Sequence, residues 1–592
     1  MAAFPPFILK KLYVSGSLRA TADGFEFALR NSLGPGTVVE VKGLDVDGTM
    51  RPPAQIRLRL PDGSARSAAE VSARQPLALS GGTTVWFGTT GALSSGRHVL
   101  KLGLVTREMG DLGIPVTDSV REGAAAAAAS AHDSPPDAPG PAGSHRREPA
   151  ASPAPARPVR VVFIGAGSTV FARQIMTDIL CTPGLQEGTF ALVDIDARRL
   201  ELAHRIGEKL VQASGRRWRV EATGDRKKAL HGAHYVINSI EVAGLRNVRH
   251  DYDIPLKYGV DQCIGDTSGP GGIFKMLRTG PAWLEILRDV ERLCPSAIVM
   301  NYTNPMSALT LLALRATRLQ VVGLCHSVRN TAEQLAGYLD VPVETLRFRC
   351  AGINHLAWYT ELRVDGQDQY PRLAERAEDP EIWESDPVRF EMMKHFGAFI
   401  TESSGHLSEY LPYFRKRPEL VRRYTRDGYR GQSGFYADNW PSWRAGGDQS
   451  IHDVLEGRSA LDLHRSTEYA SLIVEAVECD RPQTFHGNVL NRGLIDNLPP
   501  EGCVEVPVLA DSLGLHPVKF GPLPPQMAAL DRAHAAPHEL MAAAVLERDR
   551  KAALHALMLD PLTAAVCSLG EIRTMFDEMW QAEREDLEYF RP

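Results

Sequence analysis

The sequence predicts an α/β protein with a Rossmann-type, doubly wound sheet, preceded by a small all-β domain and a linker. Three observations lead to this prediction. Short alternating apolar runs separated by Gly, Pro and Asp fill residues 1–120. Residues 121–158 are mostly Ala, Pro, Gly and Ser. From residue 159 onward, apolar strands alternate with helix-length segments, the pattern of βαβ units.

Length and composition exclude several classes of protein. A chain of 592 residues is longer than one core usually serves, so we expect two or more domains. The 66 basic and 72 acidic side chains give a net charge of −6 without a long block of like charge, which argues against nucleic acid as a partner. Because the chain has neither a signal peptide pattern nor a run of about 18 apolar residues, we expect no membrane segment and a cytoplasmic protein.

The cysteines do not form a disulfide pattern. There are eight in the whole chain, none in the first 180 residues, and their spacing is irregular. We expect them to be reduced, and one of them to be a candidate metal ligand.

The N-terminal runs, such as GFEFALRNSL, TVVEVKGL and QIRLRL, predict a sandwich or barrel over residues 1–120. This region contains no cluster of His, Cys and carboxylates with catalytic spacing. An accessory or oligomerisation role and carbohydrate binding through aromatic residues such as Trp86 both remain open.

Residues 121–158 are predicted to be a disordered linker. Their Ala/Pro-rich composition, which includes a run of six alanines, offers too little apolar surface to offset the entropy lost on ordering.

The string VRVVFIGAGS predicts a buried strand, a tight turn and the start of a helix, and TFALVDID predicts the next strand. Gly165 would permit the turn, and Gly167 would let the backbone approach a pyrophosphate at the helix N-terminus, with Ser168 beside it. Asp194 is placed to bind a ribose hydroxyl, which favours NAD over NADP. Val170 replaces the third glycine of the usual fingerprint.

Two further strings are candidate ligand loops. GDTSGPGGIFKMLRT is rich in glycine and proline, so its backbone could approach a ligand closely. In IVMNYTNP an apolar strand runs into two asparagines at the sheet edge where ligands bind. Asn301 is a candidate cofactor ligand and Asn304 a candidate substrate ligand, although both could instead stabilise Asx turns.

Cys325 and His355 stand in GLCHSVRN and AGINHLAWY, downstream of the dinucleotide loop. A thiolate and an imidazole that follow a nicotinamide site in the sequence suggest a redox cofactor and a divalent metal that act on one substrate. Taken singly, a buried structural thiol and a hydrogen-bonded core histidine are the alternatives.

Together with LVDID, NYTNPM, SEYLPYF and NVLNRGLIDNLPPEGCVEVP, these strings resemble glycoside hydrolase family 4, nearest its α-galactosidase and α-glucosidase branch. The resemblance covers residues 159–592. It implies an NAD-binding Rossmann domain at residues 159–350 and an α+β substrate-binding and dimerisation domain at residues 351–592, as in lactate and malate dehydrogenases. It also implies NAD and a divalent metal, usually Mn²⁺, as cofactors, a glycoside substrate, and a homodimer or homotetramer.

The reaction that the resemblance implies oxidises the sugar at C3, removes the C2 proton, eliminates the leaving group, adds water and returns the hydride to C3. By resemblance, Cys325 and His355 match the metal ligands and Tyr410 matches the base that takes the C2 proton. An interfacial or core aromatic role is the alternative for Tyr410, and Tyr413 is its nearest competitor. His326 stands where relatives carry the acid for the leaving oxygen. Asn354, beside His355, is a candidate substrate ligand together with Asn304.

Other activities remain open at this stage. An NAD-dependent sugar or hydroxy-acid oxidoreductase would release NADH in proportion to product. An NAD-binding sensor would need neither Cys325 nor His355. The same elimination chemistry could also act on uronides or C-glycosides, since the N-terminal region resembles the β-rich small subunits of C-glycoside-cleaving enzymes.

Overall fold

The computed structural model describes residues 12–14, 17–21, 23–30, 36–60, 64–79, 83–91, 93–94, 96–107, 110–120 and 157–591. The chain divides into two compact units, Met1–Ser152 and Pro153–Pro592. All but the last two residues of the predicted linker lie outside the described residues, so its disorder stays a prediction.

The N-terminal unit contains two antiparallel sheets, which confirms the predicted all-β domain. Phe27 and Phe87 from one sheet and Leu102 and Ile114 from the other belong to the same buried cluster. The first sheet is ordered β1 (Arg19–Thr21), β2 (Gly24–Arg30), β8 (Thr84–Thr90), β5 (Ile56–Arg59), β6 (Ala65–Ser67); the second is ordered β10 (Gly110–Val120), β9 (Gly96–Thr106), β3 (Gly36–Val46), β4 (Thr49–Arg51), with β7 (Leu77–Leu79) also paired to β3.

Trp86, the aromatic residue singled out for carbohydrate binding, lies on β8. The guanidinium carbons of Arg19 and Arg59 are 4.4 and 4.9 Å from the centre of its ring, within cation–π range. Arg19 and Arg59 thus already contact the Trp86 ring that the carbohydrate-binding interpretation would use.

The second unit is built on one sheet of thirteen strands. Six parallel strands come first, in the spatial order β13, β12, β11, β14, β15, β16, which is the Rossmann order and confirms the predicted fold class. Their bounds are β11 (Val159–Ile164), β12 (Glu187–Val193), β13 (Arg217–Thr223), β14 (Tyr235–Asn238), β15 (Ile298–Asn301) and β16 (Gln320–Gly323).

The later strands extend this sheet with antiparallel pairs, through Gly323 opposite Asn488 and Gly352 opposite Glu505. The predicted domain division after residue 350 falls inside β17. The strands are β17 (Leu346–Ile353), β18 (Leu356–Val364), β19 (Gln367–Asp368), β20 (Phe399–Ile400), β21 (Gln483–Leu490), β22 (Cys503–Asp511) and β23 (Gly514–Pro517).

Helices cover the sheet. The helix after β12 shows how local sequence sets the ends: the Asp196 side chain accepts hydrogen bonds from two backbone N–H groups at its start, and Gly215 ends it in the left-handed conformation. The helices are α1 (Thr169–Leu180), α2 (Ala197–Ser214), α3 (Arg226–Leu230), α4 (Gly244–Lys257), α5 (Gly269–Leu293), α6 (Met306–Ala316), α7 (Ser327–Leu339), α8 (Tyr370–Arg376), α9 (Pro380–Ser385), α10 (Pro387–Phe396), α11 (Ser404–Tyr410), α12 (Pro418–Tyr424), α13 (Phe435–Leu455), α14 (Tyr469–Glu478), α15 (Pro525–Glu547), α16 (Arg550–Leu559), α17 (Pro561–Val566) and α18 (Leu569–Ala582).

Both faces of the sheet are buried. Along β11, Val161 and Phe163 pack into one hydrophobic cluster, whereas Val162 and Ile164 pack into another. This burial explains why the parallel strands read as continuous apolar runs rather than as alternating ones. Within the described part of the chain, no helix is both long and apolar enough to cross a membrane.

Candidate active site

The dinucleotide-type loop connects β11 to α1. Gly165 has a φ of 87°, and a Cβ at this position would lie 2.6 Å from the Ser239 carbonyl oxygen. A Cβ on Gly167 would lie 2.6 Å from the Asp194 carboxylate. Both positions therefore require glycine, and Ser168 follows as the residue that precedes α1.

Asp194, the predicted ribose ligand, lies directly after β12. Its carboxylate accepts hydrogen bonds from the backbone N–H of Gly167 at 2.7 Å and of Asp196 at 2.9 Å. The side chain thus links the glycine loop to the end of β12. Asp194 and the loop both line a cavity at this edge of the sheet.

Cys325 and His355 meet although they belong to different elements. Cys325 follows β16, and His355 lies in the two-residue turn between β17 and β18 with a φ of 66°. Their Sγ and Nε2 atoms are 3.3 Å apart. A left-handed histidine costs about 1–3 kcal/mol of backbone strain, and such strain concentrates at functional sites.

Electrostatics favour a charged pair. Although burial opposes ionisation, the charge and hydrogen bond of His355 lower the pKa of Cys325 to about 6. Burial likewise disfavours the charged form of His355, but Glu402 and Cys325 raise its pKa. The protein therefore holds a thiolate, the form that binds metal.

Glu402 is a third candidate ligand that the sequence analysis missed. Its carboxylate oxygen lies 3.4 Å from His355 Nε2, and its backbone φ is 74°. Glu402, His355 and His406 each offer a donor atom within 4.8 Å of the others, a spacing that could hold a metal ion. The signal was present as Glu and His four residues apart in TESSGHLSEY, just before Tyr410.

Tyr410, the predicted base, lies behind His355 at the end of α11. Its hydroxyl is 2.8 Å from His355 Nδ1, and the residue is only 1% exposed. Burial raises the pKa of Tyr410 well above 10, so the protein environment by itself keeps the hydroxyl protonated. Tyr410 does not line the cavity directly but touches a residue that does.

His326, the predicted acid, projects into the cavity and is half-exposed. Its Nε2 lies 2.5 Å from the Glu468 carboxylate. Burial opposes protonation, but the hydrogen bond and charge of Glu468 raise the pKa of His326. The imidazole is therefore better able to hold a proton at neutral pH.

The three predicted asparagines differ in position. Asn304 lines the cavity and donates to the Asp266 carboxylate at 3.1 Å. Asn301 is fully buried: its oxygen accepts from Asn238 at 2.8 Å and its amide donates to the Thr303 carbonyl, so its side chain does not reach the cavity. Asn354 is also buried, and its amide oxygen and nitrogen have no hydrogen-bond partner among the described residues.

The loop GDTSGPGG, the other candidate from the sequence, contributes Asp266 to the cavity wall. This carboxylate is 3.4 Å from Lys275, which also pairs with Glu241 at 2.9 Å. Glu409, one residue before Tyr410, accepts hydrogen bonds from three consecutive backbone N–H groups of residues 263–265 at 2.7–3.0 Å. The segment that carries Tyr410 therefore also anchors this loop.

One cavity of about 730 Å³ connects these parts. Its wall includes Gly165, Gly167, Ser168, Asp194, Asp266, Lys275, Asn304, Cys325, His326 and His355. The carboxyl ends of the parallel strands thus bring the dinucleotide loop and the thiolate–imidazole pair to one chamber.

Both units of the chain match models of known protein families. The family model for family 4 glycosyl hydrolases matches residues 160–341, and the model for the C-terminal domain of that family matches residues 350–563. A model described as the N-terminal domain of hydroxymethylglutaryl-CoA reductase matches residues 8–121, within the all-β unit.

Individual relatives cover the second unit. An α-galactosidase of Bacillus subtilis is 41% identical over 438 residues, which is 73% of this chain and all of that protein. The crystal structure of lplD from Bacillus subtilis is 28% identical with a TM-score of 0.64, and the match covers 71% of this chain and 99% of that one. A 6-phospho-α-glucosidase from gut microorganisms, in complex with NAD and Mn²⁺, shares the fold at 20% identity and a TM-score of 0.61, over 73% of this chain and 99% of that one.

Two family models that together span most of the chain, and a relative matched over its whole length, establish the same assignment. The chain belongs to glycosyl hydrolase family 4, a family of glycosidases.

Proposed function

We propose that this glycosidase hydrolyses α-galactosides, with α-glucosides as the nearest alternative, using NAD⁺ and a divalent metal such as Mn²⁺. The observation that carries the proposal is the single cavity whose wall contains both the glycine loop and the Cys325–His355 pair. The α-galactosidase similarity supports the choice of sugar.

The residues present fit both cofactors. Gly165 and Gly167 leave their loop without side chains at the N-terminus of α1, where a pyrophosphate binds in this fold. Cys325 Sγ lies 3.3 Å and a Glu402 carboxylate oxygen 3.4 Å from His355 Nε2, so sulfur, oxygen and nitrogen donors are adjacent. This mixed set suits Mn²⁺ and neighbouring transition metals.

When bound, NAD⁺ supplies a hydride acceptor for the sugar C3, and the metal supplies positive charge that stabilises the anion left by loss of the C2 proton. His326, held by Glu468, is assigned to protonate the leaving oxygen. Tyr410 is assigned to accept the C2 proton, and its 2.8 Å hydrogen bond joins it to His355, a residue that would hold the metal; a bound cation would favour the phenolate.

Three basic side chains of the cavity wall are already paired with carboxylates. Lys275, Arg199 and His326 line the cavity, and each is paired with a carboxylate, at 2.9, 2.5 and 2.5 Å respectively. A phosphosugar would need a free cation in the sugar-binding part of the cavity. Arg444, also on this wall, is unpaired among the described residues, so the similarity to α-galactosidases decides for an unphosphorylated hexoside.

The decisive experiment is hydrolysis of 4-nitrophenyl α-D-galactoside in D₂O with NAD⁺, Mn²⁺ and reductant. We expect deuterium at C2 of the released galactose, because the base exchanges its proton with solvent before water adds. We expect no accumulation of NADH, whereas an oxidoreductase would release NADH in proportion to product.

Tyr410→Phe is expected to slow hydrolysis and C2 exchange together by about 10²–10⁴-fold, the usual contribution of a general base. Tyr413→Phe is the matched control, since Tyr413 is 40% exposed and three residues away. Hydrolysis without NAD⁺ and without deuterium at C2 would overturn the proposal; loss of hydrolysis with exchange intact would remove Tyr410 from the base role.

The proposal also covers the cellular location and the oligomeric state of the enzyme. A cytoplasmic enzyme fits the need for a reduced thiolate at Cys325. A homodimer or homotetramer is assigned by family resemblance, and sedimentation velocity of the purified protein tests it.

A further inference from the structure

Helix α13 lies against the glycine loop although it is some 270 residues away in sequence. Asp448 on this helix accepts a hydrogen bond from the Thr169 hydroxyl at 3.2 Å and pairs with Arg199 at 2.5 Å. Arg199 also donates to the Gly167 carbonyl at 2.7 Å. These bonds attach α13 to the first turn of α1 and to the loop that precedes it.

The contact between α13 and α1 includes Val170. Val170 stands where the dinucleotide fingerprint has its third glycine, whose role is close packing. Gly447 on α13 faces it, and a Cβ on Gly447 would lie 2.9 Å from a Val170 methyl carbon. The absence of a side chain at Gly447 therefore lets α13 approach the Val170 side chain closely.

Arg444 lies one helical turn before Asp448 and so shares its face of α13. It is half-buried and lines the cavity together with Gly165, Gly167 and Ser168. Within the described ranges, Arg444 has no hydrogen bond or ion pair to another residue. Arg199, by contrast, pairs with Asp448 and donates a hydrogen bond to the Gly167 carbonyl.

A guanidinium group stays charged at every relevant pH and binds phosphate oxygens through two parallel hydrogen bonds. In this fold the pyrophosphate binds at the N-terminus of the helix after the glycine loop. Asp448 of α13 accepts its hydrogen bond from Thr169 at this same helix N-terminus. We propose that Arg444 binds the pyrophosphate of NAD⁺ together with the glycine loop. The proposal rests on NAD⁺ being the cofactor.

The test is calorimetric titration of the full-length protein, without substrate, with NAD⁺, ADP-ribose and adenosine. Arg444→Met keeps most of the aliphatic stem and removes the charge, and Arg444→Lys keeps the charge but not the fork. Arg198→Met is the matched control, because Arg198 is exposed in the first turn of α2 and is not part of the cavity wall.

We expect Arg444→Met to weaken NAD⁺ and ADP-ribose about 10- to 100-fold, the range for a lost charge-assisted contact, and adenosine less than about twofold. Arg444→Lys should fall between Arg444→Met and the unaltered protein. Arg198→Met should bind all three ligands as the unaltered protein does.

Equal NAD⁺ affinity in Arg444→Met and the unaltered protein would overturn the inference while leaving NAD⁺ as cofactor. An equal loss for adenosine and ADP-ribose would overturn it too, because the contact would then not be to phosphate. A raised KM for a uronide with unchanged ADP-ribose affinity would reassign Arg444 to an acidic substrate. If the unaltered protein binds no NAD⁺, the proposed function fails as well.

Discussion

Cys325 differs from the other seven cysteines in the direction of its pKa. Burial raises the pKa of every other thiol, including Cys181 and Cys567, which are only half-buried. His355 lowers that of Cys325 to about 6. Iodoacetamide should therefore alkylate Cys325 first at pH 7 in metal-free protein, because thiolate is the reactive form.

The alkylation rate should be constant above about pH 7 and fall as the pH drops through 6, since the thiolate gains its proton there. Peptide mass spectrometry identifies the site, and added Mn²⁺ should protect it. Labelling that rises only above pH 8, or that begins at another cysteine, would contradict the assigned thiolate–imidazole pair.

Glu402 should contribute to metal binding together with Cys325 and His355. Glu402→Gln removes the charge near His355 Nε2, and we expect Mn²⁺ affinity to fall about 10- to 100-fold. Cys325→Ala and His355→Ala should abolish binding, whereas NAD⁺ affinity should be unchanged because the glycine loop is intact. Isothermal titration with Mn²⁺ measures this.

Glu361→Gln is the control for Glu402→Gln, because Glu361 lies on β18 but pairs with the surface residues Arg349 and Arg363. If Glu402→Gln and Glu361→Gln bind Mn²⁺ equally well, Glu402 is not a ligand and serves only to orient His355.

Helix α11 has two roles. It ends in Tyr410, and Glu409 beside it accepts the three N–H groups that shape the loop carrying Asp266. Glu409→Gln would leave an amide group facing these donors. We expect the free energy of unfolding in urea to fall by about 2–4 kcal/mol, as for other buried charge-assisted networks.

Glu419→Gln controls for the loss of charge, because Glu419 is exposed and pairs only with neighbouring Arg417 among the described residues. A change below about 0.5 kcal/mol in Glu409→Gln, which is typical of surface substitutions, would show that the loop holds its shape without this anchor.

For the whole molecule, the division into two units predicts independent folding of the second. A shortened chain that begins at Pro158 keeps the whole thirteen-stranded sheet. We expect it to unfold cooperatively and to bind NAD⁺ as the full chain does. Limited proteolysis of the full chain should cut first within residues 121–158. Insolubility or loss of NAD⁺ binding in the shortened chain would make the β unit part of the catalytic core.

Local sequence was sufficient for the elements and for the loop chemistry. The glycines of GAGS, the acid after the second strand and the alternation of apolar strands with helices depend on neighbours in the chain. The Rossmann order of β11 to β16 followed from them, because right-handed crossovers leave few ways to arrange such units.

Contacts between distant segments had to come from the tertiary structure. Asn301 lies at a strand end that faces the cavity in many such sheets, but Asn238 from the neighbouring strand and Thr303 bind its side chain inside the protein. A pattern along one strand carries no information about which neighbour takes up a polar group.

The fold class, the glycine loop, and Cys325 and His355 as a candidate pair were predictable from the sequence, since each depends on short-range spacing or on a continuous motif. Folding brings Glu402 to this pair and places Arg444 of α13 on the same cavity wall as the glycine loop. Packing between helices far apart in sequence, such as that of α13 against α1, α2 and α4, sets which charges meet in the cavity.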